Sequence, residues 1–301
     1  MREAGPIRII TRMLRKLRTS DWFHPDGFPL AVERRDPQEP FGPHTHEFSE
    51  LVIVTGGHAL HVTGRESWPI GTGDVFVIGG PRAHEYRDMQ KLRLINILFR
   101  PETLRLELWD LPTLPGYHAL FTIEPALRQQ RRFKSRLRLD PKELGIVTGH
   151  VDALDHELQA RTPGFAFAAT ASFMQIAAFL SRCYSHSRSP DARAVLRIAS
   201  AISHIEAHFD EALDLDALAK LAHMSKRSFL RAFQSAVGSA PIAYLIKLRL
   251  SRAATLLRRA GEGITSAAFK TGFNDSNYFA RQFRKTFGLS PREYRKREAG
   301  R

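Results

Sequence analysis

The chain has 301 residues, 43% of them apolar, and a formal net charge of +14, which is room for two domains with sizeable cores. No run approaches about 18 consecutive apolar residues, so no membrane span is expected, and the basic start lacks the apolar stretch of a secretory leader. Cys183 is the single cysteine, which excludes an intramolecular disulfide, and these features together point to a cytoplasmic protein.

The charge is unevenly distributed. Residues 197–301 hold 19 Lys and Arg against 9 Asp and Glu, residues 1–20 hold 6 against 1, and residues 21–196 hold 20 against 21. A neutral middle and a basic C-terminal third point to a polyanionic partner for the latter.

In chain order, residues 1–20 set Ile9, Ile10, Met13, Leu14 and Leu17 among Arg8, Arg12, Arg15, Lys16 and Arg18. An amphipathic helix, a DNA-contacting arm and an extension without function all fit that pattern. From Phe28 to Phe99 short β-branched and aromatic runs alternate with turn residues, as in a sandwich or barrel. Residues 30–33, 50–55, 59–62, 75–78 and 92–99 are the expected strands. Gly56-Gly57 is expected as a hairpin turn between the second and third of these, and Gly71 to Asp74 as a tight turn. Beyond Pro101, Leu144, Val147, Val151, Leu154 and Leu158 recur every three or four residues and predict an amphipathic helix; such a stripe serves either a dimer or the outside of a barrel. A second, more apolar helix is expected from Phe165 to about Tyr184, then a polar linker, then helices from about Ala194 to Arg297.

Within the β region, His44, His46 and Glu50 have the spacing H-x-H-x₃-E, and His84 follows in a later segment. Three uses fit these residues: hydrogen bonds to a small effector, ligation of a divalent metal by imidazole and carboxylate, or satisfaction of neighbouring backbone and acidic groups. The spacing resembles the two motifs of cupin barrels, although the second motif lacks cleanly placed glycine, proline and asparagine.

The C-terminal third contains a diverged repeat. Phe229, Arg231, Phe233, Gly238, Pro241 and Tyr244 recur 50 residues later as Phe279, Arg281, Phe283, Gly288, Pro291 and Tyr294. In the first copy Leu215, Leu218, Ala219 and Leu221 predict the apolar face of a short helix. Ala222 to Met224 form the turn, Ser225 caps a second helix, and Gly238 ends it in a left-handed conformation. In the second copy Ile264, Ala267 and Ala268 make the first helix, Gly272-Phe273 the turn, and Asp275 or Ser276 the cap. Helix, short turn and helix is the geometry that places a second helix in the DNA major groove. The outward face of the two second helices holds Lys226, Arg227, Leu230, Arg231 and Gln234, and Asn277, Ala280, Arg281, Arg284 and Lys285. Arg can read guanine and Asn or Gln adenine, while further Lys and Arg suit phosphates. A joining helix from about Pro241 to Arg259 is expected to span roughly 28 Å.

Residues 264–295, ITSAAFKTGFNDSNYFARQFRKTFGLSPREYR, resemble the signature of the AraC/XylS transcription regulators, and residues 213–259 resemble that family's first helix-turn-helix and joining helix. The resemblance implies base-reading roles for Arg227, Leu230, Arg231, Asn277, Ala280 and Arg281. Residues 17–185 are similar, less specifically, to the sensor domain of the L-rhamnose-responsive activators of that family. The expected architecture is two-domain α+β: an N-terminal cupin-like β-barrel with flanking helices and a C-terminal all-α double helix-turn-helix. The expected boundaries are 1–20 for a basic extension, 21–185 for sensing and dimerisation, 186–196 for a linker and 197–301 for DNA binding. The expected function is a sequence-specific, sugar-responsive transcriptional activator, with His44, His46, Glu50 and His84 contacting the effector and no cofactor or metal. The alternative is a metal-dependent cupin enzyme fused to a DNA-binding domain. The expected partners are double-stranded DNA, an effector such as L-rhamnose or another sugar, RNA polymerase and a second copy of the chain.

Overall fold

A computed structural model describes residues 14–64, 66–79, 82–104, 110–129, 137–258 and 262–299; most of the basic N-terminal extension lies outside them. The chain divides into two compact units. One comprises Met1–Leu106 and Arg128–Cys183, the other Glu107–Leu127 and Tyr184–Arg301.

The first unit contains β1 (Arg15–Leu17), α1 (Thr19–Trp22), β2 (Leu30–Arg35), β3 (His44–His46), β4 (Ser49–Thr63), β5 (Glu66–Gly71), β6 (Asp74–Ile78), β7 (Glu85–Phe99), α2 (Pro101–Leu104) and β8 (Leu137–Arg138). Six strands make one sheet in the order β2-β7-β4-β6-β8, with β5 also on β4; β1 and β3 form a separate parallel pair. Residues 15–17 of the expected N-terminal extension are thus a strand of the sensor, with Arg15 opposite His44 and Leu17 opposite His46.

Gly56-Gly57 is not a hairpin turn. β4 runs straight through it, and β7 pairs along its whole length with register shifts at Gly56 and His58. Asp88 and Lys91 on β7 have positive φ, as does Gly57, so the pair bends through bulges here. A Cβ on Gly57 would meet the Lys91 carbonyl oxygen at 2.1 Å; close approach of backbone, rather than chain reversal, is what requires glycine. Past the bend, residues 58–63 pair with β5. Val52 and Val54 pack with Trp68, Phe76 and Leu92 in one core cluster. Leu51 and Ile53 point to the other face and are equally buried, so the run reads as continuously apolar rather than alternating.

Helices α3 (Pro115–Tyr117) and α4 (Glu124–Gln129) are joined by a π-helical stretch, His118–Ile123. Two long helices follow, α5 (Pro141–Ala160) and α6 (Phe165–Ser185). Asp140 and Glu143 form a reciprocal capping box at the start of α5. Val147, Val151 and Leu154 are fully buried, and Arg34 of β2 bonds Asp152 at 2.7 Å and Asp155 at 2.9 Å. The middle of the α5 stripe is therefore spent inside the first unit, where the helix packs beside β2. By length and composition alone α6 is apolar enough to cross a membrane, although Thr170, Ser172, Gln175, Ser181 and Arg182 break its apolar residues into short runs. Its Ala169, Phe173, Ile176, Ala177 and Leu180 are buried, with the Phe173 ring tilted against Phe99 of β7, centroids 5.2 Å apart.

After α6 the second unit continues with α7 (Pro190–Ala207). Ser189 caps it and Pro190 is its first residue, the position where a missing N–H costs nothing. Only residues 186–189 remain outside helix, so the expected linker to residue 196 is shortened. The remaining helices are α8 (Leu215–Leu221), α9 (Lys226–Val237), α10 (Pro241–Leu257), α11 (Ile264–Lys270), α12 (Ser276–Phe287) and α13 (Pro291–Ala299). Residues 111–123, expected in the sensor, pack on α7 and α9, and the buried Tyr184 hydroxyl donates to Glu124 at 2.6 Å.

Candidate DNA-reading helices and effector cavity

The two halves of the helical unit share one design. Ser225 caps α9 and Asp275 caps α12, the latter accepting from the amides of Asn277 at 2.7 Å and Tyr278 at 3.0 Å. Gly238 and Gly288 end the two helices with φ of 78° and 73°. The repeated aromatics hold matching geometry: Phe229–Phe233 and Phe279–Phe283 centroids stand 5.6 and 5.5 Å apart, and Phe233–Tyr244 and Phe283–Tyr294 stand 5.8 and 5.4 Å apart. Burying that edge turns the opposite edge of each helix outward. Leu221 departs from expectation, being exposed while Ala222 takes the buried position.

Arg227, Arg231, Asn277, Arg281, Arg284 and Lys285 are exposed on that outward edge, and Leu230 and Ala280 are half-buried beside them. Lys226 is paired with Asp216 at 2.9 Å, and Gln234 donates one amide hydrogen to the Gly238 carbonyl at 2.9 Å; each keeps further donors for another partner. The joining helix α10 has 17 residues, about 25 Å at 1.5 Å per residue. Its Arg249 donates to the carbonyls of Phe209, Gly272 and Glu211, each at 2.6 Å, tying the end of α7 to the turn of the second half.

In the first unit a cavity that is partly open to solvent lies between the β1–β3 pair and the large sheet. His44, His46 and Glu50 line it. His84 sits behind them, joined to His44 by a two-way backbone bridge of 3.0 Å bonds, with the rings 4.2 Å apart. The structure thus brings together all four residues that the sequence singled out. Burial pushes the imidazoles of His44, His46 and His84 down to about 4, so they are neutral at pH 7. Polar atoms of four cavity-lining residues are buried without a hydrogen-bond partner: His46 Nε2, Glu50 Oε2, Tyr86 OH and Asn96 Oδ1. Such atoms are costly unless something bonds them. Burial, reinforced by the Glu50 charge, raises the Tyr86 hydroxyl well above its usual pKa, which keeps it a neutral donor.

Residues 29–162 match the AraC-like ligand binding domain and residues 218–297 match a helix-turn-helix domain. The HTH-type transcriptional activator RhaR of Mannheimia succiniciproducens is 31% identical over 276 residues, covering 92% of this chain and 95% of that protein. The HTH-type transcriptional activator RhaS of Escherichia fergusonii is 32% identical over 281 residues, covering 93% and 96%. The chain belongs to the AraC family of transcription regulators. A solved DNA-binding domain of AdpA in complex with a target DNA is 33% identical over 35% of this chain and 94% of that chain, with a TM-score of 0.33.

In this AraC-family chain the enzyme alternative falls, because both matched domains are those of a regulator. The sequence also left out part of the sensor cavity. Glu33, Arg35, Gln38, Tyr86 and Asn96 line it, and only Asn96 left a signal, as a lone amide within the apolar run Leu92 to Phe99.

Proposed function

We propose that the chain is a transcriptional activator that responds to a sugar, with L-rhamnose as the first candidate, and that reads DNA through the outward faces of α9 and α12. The observation that carries the sugar reading is the cavity. Its wall sets Trp22, Phe41 and Tyr86 beside Glu33, Arg35, Gln38 and Asn96, apolar faces with a few polar groups among them, as small-molecule sites are lined. Aromatic faces suit the C–H face of a sugar ring, and amide, carboxylate and guanidinium groups suit its hydroxyls. The similarity of residues 17–185 to the sensors of L-rhamnose-responsive activators, and the relatives' names as activators, support the same reading.

In this reading His44, His46, Glu50 and His84 belong to the effector site. Arg227, Arg231, Asn277 and Arg281, with Leu230 and Ala280 between them, read bases, while Arg284, Lys285, Lys226 and Gln234 position the backbone. Two chains as a homodimer place four recognition helices on one operator and raise affinity through effective concentration. RNA polymerase is the partner of an activator, and the cytoplasm the compartment of its DNA. The effector acts by binding one of two arrangements of the regulator more tightly than the other.

The test is selection of bound sequences from a random DNA pool by the full chain, with and without a sugar panel, alongside thermal shifts. A motif with two elements about one helical turn apart, and a shift with L-rhamnose but not with its epimers, is the expected result. No shift with any monosaccharide sinks the sugar reading, and steep salt dependence without an enriched motif sinks specific readout.

A further inference from the structure

We propose that His44, Glu50 and His84 form a site for one divalent first-row metal ion in the wall of the sensor cavity, with His46 Nε2 facing Glu50 beside it. Among the described residues the ligand atoms of His44, Glu50 and His84 lie within 4.8 Å of one another, and all three residues are buried. The spacing inside the cluster is wrong for hydrogen bonds and right for a shared cation. Glu50 Oε2 stands 3.6 Å from His46 Nε2 and 3.5 Å from His84 Nε2, beyond the normal hydrogen-bond range. Two donors held tetrahedrally at metal–ligand distances of about 2.0–2.2 Å are roughly 3.3–3.6 Å apart.

The rings are oriented for ligation. His44 Nδ1 donates to the Gly42 carbonyl at 3.0 Å and His46 Nδ1 to the Phe48 carbonyl at 2.5 Å. A carbonyl only accepts, so the proton sits on Nδ1, and Nε2 of each neutral ring carries a lone pair. Glu50 Oε2 and His46 Nε2 then face each other as two buried acceptors with no hydrogen-bond partner, an arrangement that a cation between them relieves. The backbone bridge between His44 and His84 fixes two of the ligands before any ion arrives. Two imidazoles and a carboxylate, with a third imidazole next to them, suit Zn²⁺, Fe²⁺, Co²⁺ or Ni²⁺ rather than Ca²⁺ or Mg²⁺. His44, His46 and Glu50 also line the cavity, which gives the ion a way in.

The proposal stands apart from the sugar reading, since the chain can take up metal and ignore sugars, or the reverse. It is tested on the untagged full chain after chelator treatment, titrated with Co²⁺ by visible spectroscopy and with Zn²⁺ by calorimetry. The expected result is one equivalent at micromolar affinity or tighter, with ligand-field bands of a four-coordinate nitrogen and oxygen site. Affinity should fall at least tenfold in the near-isosteric Glu50→Gln and in His84→Ala, and stay unchanged in His58→Ala, which alters an exposed histidine on the same strand. Unfolding in chelator, followed by circular dichroism, identifies any variant that fails to fold; the wild-type stoichiometry and Glu50→Gln then decide. No saturable uptake of either ion by the wild type, or uptake that folded Glu50→Gln and His84→Ala both leave unchanged, overturns the site.

Discussion

Arg281 and Lys285 share an exposed helix edge but should fail differently. Arg281 lies in the N-terminal half of α12, with its guanidinium 5.9 Å from the Tyr278 ring. We expect Arg281→Ala to cost about 1–3 kcal/mol on the preferred operator and to relax preference at one base pair. Lys285 lies further along, and Lys285→Ala should weaken binding evenly across sequences and lower the salt slope by about one; competition binding at several salt concentrations separates the two. His118 gives a different prediction. Burial holds its imidazole down at about 4 from the usual 6.5, against the pull of a hydrogen bond to the Pro112 carbonyl at 2.8 Å. The unfolded chain binds the proton first as pH falls, so the stability His118 contributes is intact above about 6.5 and is lost towards 4, up to about 3 kcal/mol. Calorimetry of His118→Leu should show a shallower fall of melting temperature with acid than the wild type; an unchanged slope would locate the acid sensitivity elsewhere. Residue types and spacing made the histidine cluster legible in the sequence. Arg35 and Tyr86 were not, because which face of a bent strand points into a cavity depends on bulges that the sequence does not announce.

Gly272 and His223 occupy the same turn in the two halves, both with positive φ, yet they differ in what surrounds them. A Cβ on Gly272 would meet the Asp210 carbonyl oxygen at 2.6 Å and the Arg249 guanidinium carbon at 2.7 Å, whereas His223 is exposed. Gly272→Ala should therefore lower stability by about 1–3 kcal/mol, and His223→Gly should change it by less than about 1 kcal/mol. Arg249→Lys should cost about 2–3 kcal/mol, since one ammonium cannot reproduce a planar fork serving three carbonyls; denaturant midpoints with matched slopes check all three. The repeat itself was readable, because six identities in one register expose the shared aromatic core. The sensor strands were readable as apolar runs, but not their joining. Gly56-Gly57 carries the composition of a hairpin turn and serves a bulge instead, since local sequence is silent about the strand lying opposite. Likewise the α5 periodicity revealed a helix with one apolar edge and not what that edge covers.

At the scale of the whole chain, the composition break near residue 186 marked where one kind of sequence ends and another begins. It did not mark the units, because residues 107–127 leave the sensor stretch and fold with the C-terminal helices. Nothing in their composition distinguishes them; what assigns them is packing against α7 and α9 and the buried bond from Tyr184 to Glu124. A fragment of residues 186–301 should therefore unfold at a lower urea concentration than the same helices in the full chain, and supplying residues 107–129 as a separate peptide should restore part of the difference. The interleaving also bears on how such regulators can be recombined. The polypeptide crosses between its two units three times, after Leu106, after Leu127 and after Cys183. A graft that swaps a foreign sensor in at residues 186–189 divides the molecule where its sequence changes character and severs a folded body, leaving the helices without the insert that covers them. A transplant that carries residues 107–127 along with the DNA-reading helices keeps that body whole, so shuffling among relatives is expected to succeed in units of structure and to fail at the seam that the letters suggest.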